Sequence, residues 1–207
     1  MDSPALLSPA TINPRFPAMK RQLLIPIFVI AQLILLMIEI GTHYDANGRQ
    51  IALAITNVVA SLALLWFNRW LAKRGGKLSW LTIVLVAVAI WLDALGNFQH
   101  LYGGFWWWDR LTHTVGGMAL STGFIDLFLA YRTTGRLQAG WTWTAWMGFL
   151  AGQLVGSLYE ISEWLGDFWF HTQRVQGPYD TPRDLFKNLV GGLLVLGLMW
   201  IIKNRKS

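Results

Sequence analysis

The sequence contains no cysteine, and only 14% of its 207 residues are charged, with eleven acidic side chains in all. Without cysteine there is no disulfide framework, no thiolate nucleophile and no zinc–thiolate finger. Soluble domains carry roughly 25% charged residues, so the shortfall excludes an ordinary soluble enzyme. A chain that is 54% hydrophobic is equally unlike a disordered segment. Familiar catalytic signatures are missing too. There is no HExxH pair, no desaturase-type HxxxH or HxxHH box, no GxSxG, no P-loop and no phosphatase-type PSGH.

What the sequence does have is thirteen tryptophans and apolar residues gathered in long blocks. Its mean hydropathy is +0.41. About 20 helical residues cross the hydrocarbon of a bilayer, and six blocks are long enough: residues 23–40, 51–72, 79–101, 111–131, 141–165 and 184–202. Backbone groups in lipid must be satisfied internally, and no alternating ten-residue strands of a barrel are present, so the blocks predict helices. The predicted fold is all-α, a polytopic membrane helix bundle of six transmembrane helices forming a single integral membrane domain over residues 1–207. The first block follows Lys20 and Arg21 as in a signal peptide. Its apolar run is too long for one, and no small-x-small cleavage site follows, so it reads as a retained helix. The proline-bearing residues 1–21 read as a disordered cytoplasmic tail.

The formal charge of +6 and pI near 9.9 invite a nucleic-acid partner until the basic residues are placed. Twelve of the seventeen lie in the N-terminal tail, the second and fourth loops and the C-terminus. Arg49, Arg110, Arg174, Arg183 and Lys187 lie on the other side. By the positive-inside rule both termini are cytoplasmic, the basicity is mostly a matter of orientation, and no nucleic acid is implied. In that frame all four histidines and nine of the eleven acidic residues fall at or near the outer face, Asp2 and Asp126 being the exceptions.

An internal echo accompanies this asymmetry. Asp93-Ala94-Leu95-Gly96-Asn97-Phe98 parallels Glu163-Trp164-Leu165-Gly166-Asp167-Phe168, and a histidine follows each, His100 and His171. Asp109, His113 and Val115-Gly116-Gly117 then parallel Asp184, Asn188 and Val190-Gly191-Gly192 at the same spacing. This predicts a parallel internal repeat of helices 3-4 and 5-6, with Glu39, His43 and Asn57 as remnants of a third copy. The Gly-Gly pairs read as packing devices that let helix backbones approach.

Ionisable groups inside a span are costly and are by default candidates for function. Shared helix faces gather Asp93, Asn97 and His100; Asp109 and His113; Glu160 and Glu163; Asp184 and Asn188. The candidate catalytic residues are Glu160, Glu163, His113 and Asp93, as general acids, bases or ligands. The candidate metal ligands are His100, His113, Glu160, Glu163 and Asp184. Such a mixed set suits a divalent ion such as zinc or manganese. An anionic substrate would be held by Arg110, Arg174 and Arg183, with Asn97, Asp109, Asp180 and Asn188 beside them. Plainer roles compete. Asp184 can complete a capping box with Thr181, with Pro182 at the first helical position, and Asp109 can start its span as an N-cap. Glu160 and Glu163 fit a structural ion pair as well as a site.

The run Trp108-Asp109-Arg110-Leu111-Thr112-His113, then Glu160-Ile161-Ser162-Glu163-Trp164, then Thr172-Gln173 with Tyr179-Asp180-Thr181 and Asp184, resembles the YjdF-like inner-membrane proteins of bacteria, a family of unknown function. That family's loop reads closer to Thr-Gln-Gly-Asp-x-x-Asp, and here Arg174-Val175-Gln176-Gly177-Pro178 intervenes. Asp109 to His113 also resembles the Asp-Lys-x-x-His run of VanZ-like membrane proteins, some linked to glycopeptide resistance. The resemblance implies a bacterial inner membrane and supplies no reaction. Three functions therefore stand open. The first is an outer-face site, metal-assisted, for a lipid or envelope precursor with an anionic group. The second is a small transporter or proton-coupled carrier, and the third is a membrane scaffold or binding protein. Membrane lipid is the one partner that all three share.

Overall fold

The structure, a computed structural model, describes residues 18–42, 49–171, 174, 175 and 177–205. The tail to residue 17, His43, Thr172, Gln173, Gln176 and Lys206 lie outside the described residues. The described chain is helical and contains no strand. Its helices are α1 (Ala18–Gly41), α2 (Arg49–Ala72), α3 (Trp80–Phe98), the single turn α4 (Leu101–Gly104), α5 (Trp108–Thr133), α6 (Trp141–Phe170) and α7 (Asp180–Asn204).

Among the described residues, four helices are apolar and long enough to cross a membrane, over Leu23–Gly41, Trp80–Phe98, Trp108–Thr133 and Asp180–Asn204. The other long helices, α2 and α6, have 24 and 30 residues. Several helices run past the apolar blocks that announced them. α5 begins three residues before its block and α7 four before, because hydropathy marks the hydrocarbon whereas a helix continues until its backbone is capped. α3, by contrast, stops at Phe98 rather than 101. His100 there adopts the left-handed conformation, φ 53°, which ends a helix and which histidine tolerates better than most residues. His171 does the same at the end of α6, φ 55°. The two echoed histidines thus share a backbone role at helix ends.

Burial is arranged as lipid would require. Along α1, Phe28, Gln32, Leu35 and Glu39 are buried at helical spacing, while Ile27, Ile30, Leu33, Met37 and Ile40 face outward. Polar groups inside and apolar groups outside is the reverse of a water-soluble helix. Glu39 is matched by Asn57 on α2, whose Nδ2 donates to Glu39 Oε2 at 3.2 Å and to the Gln32 carbonyl at 3.3 Å.

α5 is the central helix, packed most extensively on α6 and α7 and then on α3. Its core contacts include Val115, Ala119 and Ile125 against Ala145, Phe149 and Val195. Glycine makes that closeness possible. A Cβ on Gly117 would collide with the backbone of Asn188 on α7, and one on Gly191 with the carbonyl of Thr114 on α5. α6 contributes Gly148 and Gly152, which meet the backbone of α5 at Ile125 and Ser121. That Gly148-x-x-x-Gly152-x-x-x-Gly156 run is a small-residue interface pattern that the sequence reading passed over in favour of the Gly-Gly pairs.

Asp126, one of the two acidic residues expected on the inner side, is buried and structural. Its Oδ2 accepts the Ser79 N–H and the Thr82 hydroxyl, both at 2.6 Å, at the N-terminus of α3. Ser79 is also the N-cap of that helix, its Oγ accepting the Thr82 N–H at 3.2 Å. Asp126→Ala is expected to remove the acceptor of the Ser79 N–H and of the buried Thr82 hydroxyl and cost about 2 kcal/mol, read as a lower unfolding temperature in detergent with metal retention unchanged.

Candidate functional site

The gathered polar groups lie at the start of α5 and α7 and near the end of α6. Asp109 and His113 are one turn apart on α5, and Asp184 and Asn188 are one turn apart on α7. The close approach at Gly117 and Gly191 brings these two faces together. Glu160 reaches in from α6, which packs on both. Glu160, Asp184 and Asn188 are 1%, 3% and 6% exposed.

His113 is the hub. Its Nδ1 lies 3.2 Å from Glu160 Oε1. Its Nε2 lies 3.5 Å from Asp109 Oδ1 and 3.7 Å from Asp184 Oδ2. Asn188 Nδ2 donates to Glu160 Oε1 at 3.3 Å, so Glu160 is held from two sides. Asp109, His113 and Asp184 each offer one ligand atom, all within 4.8 Å of one another. Asp184 Oδ1 is buried with no hydrogen-bond partner among the described residues. Three carboxylates around one imidazole exceed its charge, and a low-dielectric interior relieves such a surplus by holding a proton or a counter-cation. Asp109 is the most exposed member, at 34% of its side chain, so the cluster opens on that side.

The residues expected to cap are placed differently. α7 begins at Asp180 after an N-cap at Tyr179 that makes no side-chain cap bond. Asp184 is therefore in the second turn, buried and facing His113, and the capping box with Thr181 does not form. Asp109 lies inside the first turn of α5, not at its N-cap, which is Trp107. Pro182 sits at the third helical position rather than the first. Early helical positions have no N–H partner to lose, so the sequence could not tell which of the three it would occupy.

Glu160 and Glu163 go separate ways. Glu163 Oε1 pairs with Arg174 Nη1 at 3.1 Å, which places Arg174 in an ion pair. The Arg174 and Val175 N–H groups donate to the two Asp167 oxygens at 2.8 and 2.7 Å, fixing the loop after α6. Burial works against the Arg174 charge, but the neighbouring Tyr159 and Glu163 outweigh it and hold the guanidinium above its ordinary range.

Asp93 and Asn97 form a third, local network. Asn97 Nδ2 donates to Asp93 Oδ1 at 3.1 Å and to its carbonyl at 2.9 Å. Tyr102, which the sequence reading missed, donates its hydroxyl to Asp93 Oδ1 at 2.8 Å. Burial, and then the Asp93 charge, push the Tyr102 phenol well above its usual range, so it remains a donor. His100 is exposed at the start of α4 and is not in the group around His113.

Arg110 and Arg183 line a single groove of about 430 Å³ with Tyr179, Pro182, Phe186 and Lys187. Lys187 was marked in the sequence only as a basic residue on the unexpected side. Asp180 opens α7 beside them, half-buried in its first turn.

Apolar helices turned outward around a buried histidine–carboxylate cluster define an integral membrane protein. The chain belongs to the DUF2238 family, described as predicted membrane proteins, matching that family over residues 22–205. Neither a curated protein nor a solved structure matches it.

Proposed function

We propose that the cluster is a divalent-cation site, held by Asp109 Oδ1, His113 Nε2 and Asp184 Oδ2. It would open to the outer side of a six-span inner-membrane protein with both termini cytoplasmic, and serve an anionic lipid or envelope precursor. The observation that carries this is the convergence of three ligand atoms within 4.8 Å of one another, with the second Asp184 oxygen, Oδ1, buried and without a hydrogen-bond partner among the described residues. With Glu160 and His113 Nδ1 3.2 Å apart, the Nδ1 proton belongs to that contact, and Nε2 faces two aspartates. A nitrogen facing two carboxylates needs something positive between them, a second proton or, as proposed here, a metal ion. Ligand atoms about 2.1 Å from a tetrahedral zinc are about 3.4 Å apart, close to the 3.5 and 3.7 Å from His113 Nε2 to the two aspartates. Glu160 then acts as the carboxylate that orients a metal-bound histidine. His100 and Glu163 drop out of the ligand set, and three protein ligands leave coordination free for water or substrate.

Topology is part of the proposal. α2 and α6 complete the six spans, supported by their length and by the exposed Ile55, Leu62, Leu150, Leu154 and Leu158. The remnant third copy is supported by a bridge shared with helices 5-6, Glu39 to Asn57 between α1 and α2 and Glu160 to Asn188 between α6 and α7. We also take the YjdF-like and VanZ-like resemblances to reflect kinship, since Asp109 and His113, which both share, fall in the cluster.

The protein purified in detergent, incubated with manganese or zinc and then dialysed, is expected to retain one ion per chain. Glu163→Gln should retain it and Asp184→Ala should lose it. Retention by Asp184→Ala, or none by the parent protein, would sink the metal reading.

A carrier is the second reading. It is favoured by Gln32, whose side-chain oxygen and nitrogen are both buried without a partner among the described residues and whose backbone carbonyl accepts from Asn57 of the Glu39–Asn57 bridge. Cation-driven uptake into proteoliposomes abolished by Glu39→Gln would favour the carrier over the outer-face site.

A further inference from the structure

We infer that the groove of Arg110, Arg183 and Lys187 binds the phosphate of a lipid whose headgroup carries two or more negative charges, a monoester or a diphosphate. This rests on the reading above for the neighbouring cation and the outer-face placement.

Three cations share this groove, and none has a carboxylate within ion-pair distance among the described residues. Each lies over an aromatic ring instead: Arg110 over Trp106 at 4.4 Å, Arg183 over Tyr179 at 5.9 Å and Lys187 over Phe186 at 5.3 Å. They are also on the side where the topology rule disfavours basic residues. Arg110 and Arg183 stand in the first turns of α5 and α7, where the helix dipole repels a cation and attracts an anion. Cations with no ion pair among the described residues, in positions the helix dipole disfavours and converging on one groove, are what a bound anion would compensate.

The chain order ties the groove to the cluster. Arg110 follows Asp109, Arg183 precedes Asp184, and Lys187 precedes Asn188. Neighbouring helical residues project about 100° apart, so each inward cluster residue carries a groove cation on the adjoining face. Guanidinium forks match phosphate oxygens two at a time. A singly charged diester is matched by one arginine, whereas two arginines and a lysine match a monoester, whose second ionisation has a pKa of about 6. The exposed Trp106 and Tyr179 have the amphipathic chemistry of an interfacial belt, at the depth of lipid headgroups. A cation held by Asp109 and Asp184 would remove their repulsion and give the phosphate a further partner.

The test is binding of phosphatidic acid, phosphatidylglycerol and inorganic phosphate to the full-length protein in detergent, by native mass spectrometry. Phosphatidic acid is expected to bind at least about tenfold more tightly than phosphatidylglycerol. Arg110→Gln with Arg183→Gln should weaken it roughly tenfold to hundredfold while retained metal stays unchanged. Arg183→Lys, which keeps charge and loses the fork, should fall between. Equal binding of the two lipids, or unaltered binding by the double variant, overturns the inference. Inorganic phosphate binding as tightly as phosphatidic acid overturns the lipid assignment. If no metal is retained but the monoester preference and its loss in the double variant persist, the metal reading fails and the groove stands.

Discussion

Alanine at Gly117 is expected to destabilise the protein by roughly 3 kcal/mol or more, whereas alanine at Gly116, its neighbour, is expected to be neutral or to stabilise. At Gly117 the new methyl would meet the backbone of Asn188, which has no rotamer to give; at Gly116 nothing lies within 4 Å. Alanine gains up to about 1 kcal/mol over glycine in a helix interior, and only Gly116 can realise that gain. The displacement at Gly117 would also separate α5 from α7, moving His113 off Asp184. Gly191→Ala should behave like Gly117→Ala, since its methyl would meet the Thr114 carbonyl. The comparison is read from unfolding temperatures in detergent and from retained metal in the same samples. Equal effects at Gly116 and Gly117 would mean that α5 and α7 do not meet along this line.

The second large effect concerns the cluster itself. His113→Ala and Asp184→Asn each remove a proposed ligand and should reduce divalent-ion affinity by well over a hundredfold. Glu160→Gln removes only the carboxylate behind the histidine and should reduce it about tenfold to hundredfold. Ion binding to the folded state also stabilises it, by about 2.7 kcal/mol at a concentration one hundred times Kd. The parent protein should therefore melt higher with manganese than with chelator, and Asp184→Asn should not. If the cluster is instead a scaffold of hydrogen bonds, Glu160→Gln would lower stability as much as Asp184→Asn, and metal would shift neither.

The helical, membrane-spanning character was legible because lipid imposes a length and a polarity that hydropathy reads directly. Helix ends were less so. The first turns of α5 and α7 are polar, so the apolar blocks began after them, and that misplacement turned Asp184 into a cap. His113 and Asp184 were legible as candidates because a buried charge is rare enough to stand out. Which partner each charge takes depends on which helices touch, and no spacing along one helix encodes that. Glu163 and Glu160 illustrate the point: adjacent on a helix face, they serve Arg174 and His113 separately. Tyr102 was invisible because it acts from a single-turn helix that carries no periodicity. Lys187 was visible as an anomaly of charge, but only the packing of α7 beside α5 gives it neighbours.

The central claim is that His113 Nε2 shares a cation with Asp109 and Asp184. Pulsed electron paramagnetic resonance of the manganese-loaded protein tests this most directly, because a coordinated imidazole imprints its nitrogen on the electron spin echo. One histidine nitrogen is expected to couple to a single bound ion, and that coupling should vanish in His113→Ala while surviving in His100→Ala. A bound ion with no nitrogen coupling, or a coupling that persists in His113→Ala, would contradict the account.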